Sequence, residues 1–325
     1  MNPVALYFAS GESLYLGAAL LILAMVASRL KRGRLLRNVA AWLGLAMMVM
    51  ACPPFLAVID LIFFAAFLLW FIVSNRGGST PAWLRLRQGS TVVLMVFLLA
   101  LTAFEFSHRS MPVITGKPSD HLVVIGDSIS SGIDSRIPPW PLVLEQTSGV
   151  SVRNLARPGA LVREGLTMAE KLTPNDRLVL IQIGGNDLLM GVPSSEFGQG
   201  LDALLSKVAT PGRIVVMFEL PLLPDKIGYG RIQRRLSARH GVSLIPKRYF
   251  TEVIGQANAT SDGLHLSASG SARMAALVGQ VLSPVLKPGP ATVISLMSRS
   301  QISNGYFQLT RPDSLMHHAA PRIGG

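Results

Sequence analysis

Leu122-Val123-Val124-Ile125-Gly126-Asp127-Ser128-Ile129-Ser130-Ser131 joins a short apolar run, β-branched at three positions, to a glycine followed at once by an acid and a serine. A run of that length and composition reads as a buried strand of a parallel sheet. The break at Gly126 then delivers the Ser128 hydroxyl to the carboxyl edge of the sheet, where open α/β folds keep their sites. Three later segments are arranged to serve that hydroxyl: Asn154 to Gly159, Gly184-Gly185-Asn186-Asp187, and Asp262-Gly263-Leu264-His265.

Working outward, the chain from residue 121 alternates strand-like with helix-like runs. Residues 121–126, 150–155, 177–183, 213–219 and 242–246 are apolar and β-rich. Candidate helices lie near 139–148, 161–171, 195–208, 229–240 and 267–282. Repeated β-then-α units predict a parallel sheet of about five strands with helices on both faces, a three-layer α/β/α domain over 121–285. Residues 110–120, with Pro112 and Pro118, read as a linker. Residues 286–325, rich in Gly, Pro and Ser, read as a poorly ordered tail whose apolar patch, Ala291 to Met297, is free to dock.

The first third, residues 1–109, reads as an all-α transmembrane region of about four helices. Residues 13–28 form one apolar span, and the basic cluster Arg29, Lys31, Arg32, Arg34 and Arg37 follows it. A cleaved signal peptide carries its basic segment in front, so this span reads as retained. Residues 38–74 hold one charge, Asp60; as a single helix they would be about 55 Å long, against a bilayer core of about 30 Å. Pro53-Pro54 offers a turn, which makes two passes. A fourth span covers roughly 90–106, after Arg76, Arg85 and Arg87. With four spans both basic loops face the cytoplasm and the C-terminal domain lies outside, as the positive-inside rule favours. In a double-membrane bacterium the expected location is the inner membrane, with the catalytic domain in the periplasm. Asp60 and Glu105 read as interfacial acids or as members of pairs between helices.

The formal charge of +12 suggests a nucleic-acid partner only until it is divided. Residues 1–110 carry 9 basic and 3 acidic side chains, and residues 111–285 carry 17 and 14. The excess beside the spans is topological, so the composition argues against nucleic acid. One cysteine, Cys52, excludes an internal disulfide and a cysteine-based metal cluster. Of the six histidines, His265 has an acid at catalytic spacing.

Serine is a weak nucleophile until a base takes its proton and a third group fixes the base. Ser128, His265 and Asp262 supply the three types. Attack on an ester carbonyl also needs donors aimed at the developing oxyanion; the candidates are the Ser128 N–H, the Gly159 N–H and the Asn186 side-chain amide. Asp127 and Asp187 read as local hydrogen-bond acceptors in turns. Trp140, Leu188, Leu189 and Met190 are candidate substrate-binding residues for an acyl pocket, weighed against plain core. Arg231, Arg234, Arg235 and Arg239 make a basic helix surface, either a solvated face or a contact for anionic lipid headgroups.

These blocks resemble the SGNH, or GDSL-type, esterase and lipase family. Gly126-Asp127-Ser128, Gly159, Gly184-Gly185-Asn186-Asp187 and Asp262-Gly263-Leu264-His265 fall in the family's order, over about half the chain. Gly-Asp-Ser or Asp-x-x-His alone is unspecific; Gly-Gly-Asn-Asp is far rarer, and the order at strand ends carries the signal. Gly-Asp-Ser-Ile-Ser-Ser-Gly and Ile-Gly-Gly-Asn-Asp-Leu-Leu are most similar to the bacterial esterase, lysophospholipase and thioesterase branch. Ala156-Arg157-Pro158 departs from the small polar residues usual before the glycine. The resemblance implies a three-layer α/β/α fold, the same catalytic and oxyanion roles, no cofactor and no metal. The substrate expected is a small-molecule or lipid carboxylic ester. An O-acyltransferase or deacetylase of envelope polysaccharide uses the same triad, and a non-catalytic adaptor binding other envelope proteins is the alternative from another class.

Overall fold

The strand read from Leu122 onward is β1 (His121–Gly126), an interior strand of a five-stranded sheet in the computed structural model. Residues 2–29, 33–51, 53–76, 78–222 and 224–287 are described. The other strands are β2 (Ser151–Asn154), β3 (Leu178–Gln182), β4 (Ile214–Phe218) and β5 (Ser243–Ile245). All neighbours run parallel in the order β2-β1-β3-β4-β5, with Val124 beside Asn154 and Leu180. Every expected strand is present, β1 with the bounds expected and the other four shorter by one residue at each end.

Thirteen α-helices occur among the described residues. The first five precede the sheet: α1 (Pro3–Ala9), α2 (Ser13–Ala27), α3 (Arg34–Met50), α4 (Ala57–Asn75) and α5 (Pro81–Ser107). Next come α6 (Ser128–Ser131), α7 (Trp140–Ser148), α8 (Val162–Ala169), α9 (Gly185–Met190) and α10 (Ser194–Val208). Last are α11 (Ile227–His240), α12 (Lys247–Gly255) and α13 (Ala268–Leu282). Successive strand residues point to opposite faces, and the two cores sort accordingly. Val123, Ile125, Val179, Ile181, Val215 and Met217 pack under α8, α10 and α11. Leu122, Val124, Leu178, Leu180, Val216 and Phe218 pack under α7, α12 and α13. The result is a three-layer α/β/α domain.

The N-terminal helices alternate in direction. Ser13, at the start of α2, donates to the Met47 carbonyl late in α3 at 3.0 Å. Arg37, at the start of α3, donates to the Ser74 carbonyl at 3.3 Å and to the Asn75 side chain, at the end of α4. Gly17 and Gly44 let α2 and α3 touch: a Cβ on Gly17 would sit 2.6 Å from the Gly44 carbonyl oxygen, the close approach that small residues permit between helices. Phe67, Trp70, Leu94 and Leu98 fill the space toward α4 and α5.

Two of the described helices, α4 and α5, are long and apolar enough to cross a membrane. The pair α1–α2, bent by 80°, passes the same test as one unit, which makes up to three. The sequence expectation was four. The difference is α3: its 17 residues reach about 26 Å, short of a hydrocarbon core of about 30 Å, and it opens with Arg34 and Arg37. The breaks are where they were expected, with Pro53-Pro54 between α3 and α4. The tail expected over 286–325 lies outside the described residues, except for Leu286 and Lys287.

Candidate active site

Ser128 opens α6, a single turn capped by Asp127, whose carboxylate accepts the Ile129 N–H at 3.0 Å. Gly126 makes this turn possible. A Cβ there would meet the Gln182 carbonyl oxygen at 2.8 Å and Ser130 Oγ at 2.9 Å. Ser130 Oγ donates to Gln182 Oε1 at 2.8 Å and accepts the Trp140 indole N–H at 3.1 Å. The Ser128 turn is thereby tied to the end of β3 and to α7.

Asp262 and His265 stand on a short loop closed by a bridge between Thr260 and Leu266. Asp262 Oδ1 accepts the backbone N–H groups of Leu264 and His265 at 2.9 and 2.8 Å. Its Oδ2 lies 2.6 Å from His265 Nδ1. The hydrogen bond to the imidazole, then the two backbone N–H groups, hold the Asp262 carboxyl well below the usual carboxylate range. An ionised carboxylate only accepts, so a ring proton sits on Nδ1, and the neutral ring then has its lone pair on Nε2. Nε2 lies 3.1 Å from Ser128 Oγ. The three residues, 137 positions apart at their widest, form one continuous relay.

Asn186 is the second residue of α9, after β3; its Nδ2 donates to the Ala160 carbonyl at 3.0 Å. Gly159 sits in a turn with φ +72°, and nothing within 4 Å stands where its side chain would be. Asp187 is buried and accepts the Val162 N–H at 3.0 Å, holding the start of α8. Burial raises its carboxyl above the ordinary value. Burial also pushes the Asp127 carboxyl up to about 6. Both acids therefore sit where the turn reading put them.

A pocket of about 160 Å³ opens beside Ser128 and Asn186. Leu188, Leu189, Leu220, Phe250, Ile254 and Leu264 make its apolar walls. Two of the four substrate-binding candidates, Leu188 and Leu189, are among them. Trp140 is not: its ring is fully buried in the core beneath α7 and α13, because its N–H has a partner in Ser130. Met190 is exposed at the rim rather than in the wall. Phe250 and Ile254 went unread because α12, nine residues with β-branched Thr251, Val253 and Ile254, carries too little local helix signal.

The arginine surface of α11 divides: Arg231 and Arg234 are turned into the junction with the helical bundle, while Arg235 and Arg239 are exposed to solvent. Arg231 pairs with Asp60 and donates to the Phe55 carbonyl. Arg234 binds Glu105 at 2.7 and 2.8 Å and Glu219 at 2.6 Å, while Arg239 binds Asp202 at 3.1 Å. Arg235 alone of the four is left exposed without a described ion pair. Among the described residues no three His, Cys, Asp or Glu side chains gather as a metal site.

Comparison with known proteins places this geometry. The family model described as GDSL-like lipase/acylhydrolase matches residues 124–273, which run from β1 into α13. An arylesterase of Vibrio mimicus is 32% identical over 208 residues, 58% of this chain and 98% of the relative. Esterase TesA of Pseudomonas aeruginosa is 27% identical over 184 residues, 51% of this chain and 89% of that protein. Thioesterase 1/protease 1/lysophospholipase L1 of Escherichia coli is 30% identical over 151 residues, 42% of this chain and 69% of the relative. The chain belongs to the GDSL-like lipase/acylhydrolase family, the SGNH-type esterases.

Proposed function

We propose that this protein hydrolyses carboxylic esters through an acyl-enzyme on Ser128, in a domain over 121–285 held at a membrane by residues 1–109. The observation that carries the reading is the relay of 2.6 and 3.1 Å from Asp262 through His265 to Ser128, beside an apolar pocket. Ser128 Oγ attacks the ester carbonyl carbon as its proton passes to His265 Nε2. Negative charge collects on the carbonyl oxygen, where the Ser128 and Gly159 N–H groups and the second Asn186 amide hydrogen serve as donors. The imidazolium returns its proton to the leaving alkoxide. Water then attacks the acyl-enzyme with His265 again as base. Asp262 stays ionised throughout and stabilises the charged ring. No step calls for a metal or cofactor.

The anchor is read as four passes, with α3 crossing despite its length: the exposed Arg34 snorkels to the interface, and Arg37 is buried against the end of α4. Both basic loops then lie on the cytoplasmic side and the catalytic domain on the other face of the membrane. Full-length protein in detergent, given a series of acyl esters alongside acetylated glycan, tests the chemistry. Turnover of acyl esters, lost with fluorophosphonate labelling in Ser128→Ala, is expected; single loss of a triad nucleophile costs about 10⁶ in kcat. Turnover of glycan acetate alone would select the envelope-polysaccharide reading, and labelling that survives in Ser128→Ala would exclude Ser128 as the nucleophile.

A further inference from the structure

The edge of the sheet that carries Ser128 also carries the contacts to the helical bundle. Glu219 follows β4 and Lys247 follows β5 by two residues, so both lie at the carboxyl ends of their strands. Glu219 is joined through Arg234 to Glu105, two residues before the end of α5. Lys247 Nζ donates to the Ala51 carbonyl at 3.4 Å, just past α3. Arg231 pairs with Asp60 in the first turn of α4, and Arg248 approaches Glu12 at 4.0 Å. The short helix α1 turns 80° away from α2 and contributes Leu6 to the core beneath α12. The bundle therefore caps the carboxyl edge at β4 and β5. In the order β2-β1-β3-β4-β5, Ser128 stands two strands away, about 10 Å at the usual spacing of about 4.8 Å.

The ion pairs tie the bundle to the β4 and β5 end of this edge, and apolar side chains stand exposed beside them. Phe104 and Phe106 flank Glu105 and are 50% and 60% exposed, so the apolar surface of α5 continues to the junction. Tyr7 and Phe8 lie on α1 at the same end, where aromatic side chains mark a membrane interface. Among the described residues of 121–287, the exposed large apolar side chains are Ile133, Leu142, Leu189, Met190 and Leu264. Four of these ring the site. Leu189 and Leu264 line the acyl pocket, Ile133 lines a recess shared with Ser128 and His265, and Met190 follows Leu189. A cluster of apolar side chains on one edge marks an interaction surface rather than ordinary scatter.

We propose that this rim rests on the bilayer beside the bundle, and that the Ser128 pocket takes its acyl chain directly out of that leaflet. The ester is then presented by the membrane that holds the enzyme, not collected from water. The pocket runs from the exposed Leu189 and Leu264 to the buried Leu220 and Ile254, toward the strands that sit on the bundle. A chain leaving the leaflet at the rim enters it without crossing water. This inference rests on the membrane anchor proposed above.

The test uses full-length protein with Cys52→Ser, in vesicles of phosphatidylethanolamine and phosphatidylglycerol. An environment-sensitive fluorophore is attached at Met190→Cys on the rim or at Lys207→Cys near the end of α10, at the opposite edge. Doxyl-labelled lipid in the same vesicles should remove most of the emission at position 190 and leave position 207 unchanged. Equal response at the two positions, in protein that stays in the vesicles through carbonate washing, overturns the inference while the anchor stands. Protection of position 190 from aqueous iodide without doxyl quenching assigns the rim to a protein partner and overturns it equally. Protein washed off by carbonate sinks the anchor itself, and the inference with it. A lipid ester carried in the enzyme's own vesicles should also be hydrolysed faster than one in separate vesicles; equal rates would exclude delivery through the leaflet.

Discussion

Asn186 donates one amide hydrogen to the Ala160 carbonyl, which fixes the plane of the amide and leaves the second hydrogen for the site. Removing it by Asn186→Ala should lower kcat by about 10²–10³ with little change in KM, as expected for an oxyanion donor. A rise in KM at constant kcat would make Asn186 a substrate holder instead. Asp127 behaves differently. Its carboxyl is raised from 3.8 to about 6 by burial, so between those values the folded protein binds a proton that the unfolded chain has released. Stability therefore falls as pH rises through this window, and the cost, about 3 kcal/mol at about 1.4 per unit, persists above it. Asn keeps an acceptor for the Ile129 N–H without the charge. Asp127→Asn should melt higher than the parent at about pH 8, and the gap should close toward about pH 4. A gap independent of pH would refute the assignment.

At the scale of elements, the junction of α5 with α11 turns on three charges. Arg234, Glu105 and Glu219 have side chains 9%, 9% and 2% exposed, so little water screens them. The arginine is held protonated beyond its ordinary value by the two carboxylates, against the desolvation that opposes it. Arg234→Met would strand both acids, with Lys247 and His108 the remaining basic groups acting on Glu105. Removing one partner of a buried pair costs about 3–5 kcal/mol, and thermal unfolding in detergent should show a correspondingly lower midpoint. Adding Glu105→Gln should restore part of it, because the second stranded charge is then gone. A double variant no better than the single would mean that the loss is one of packing.

For the whole molecule the deciding question is sidedness. Arg29, Arg34, Arg37, Arg76, Arg85 and Arg87 gather at one end of the bundle, while Glu12, Asp60 and Glu105 gather at the end that meets the α/β domain. If the helices form the anchor proposed above, the positive-inside tendency places the first end in the cytoplasm. In a Cys52→Ser background, Ser110→Cys should react in spheroplasts with a maleimide that does not cross the inner membrane. Ser79→Cys, between α4 and α5, should react only after lysis. The reverse pattern would move the domain to the cytoplasmic face.

Strands β1, β3 and β4 were legible because each is a β-branched apolar run of five or six residues, a purely local property, while the shorter and more polar β2 and β5 were legible from their place in the β-then-α alternation. The Ser128, Asn186 and His265 blocks were legible for a related reason. Each stands where a strand or turn delivers it to the carboxyl edge, so parallel topology alone brings them to one place. The small helices α1, α6, α9 and α12 were not legible, since segments this short draw their stability from packing rather than from propensity. The arginines of α11 read alike as a basic face, yet Arg234 is buried against a glutamate 129 positions earlier and Arg235 is exposed. Trp140 and Leu188 both read as pocket candidates, and only contacts made across the fold separated core from wall. Periodicity and turn chemistry act over a few residues and are written in the sequence. Which charge meets which, and which apolar face is covered, depends on surfaces that exist only once the chain has closed on itself.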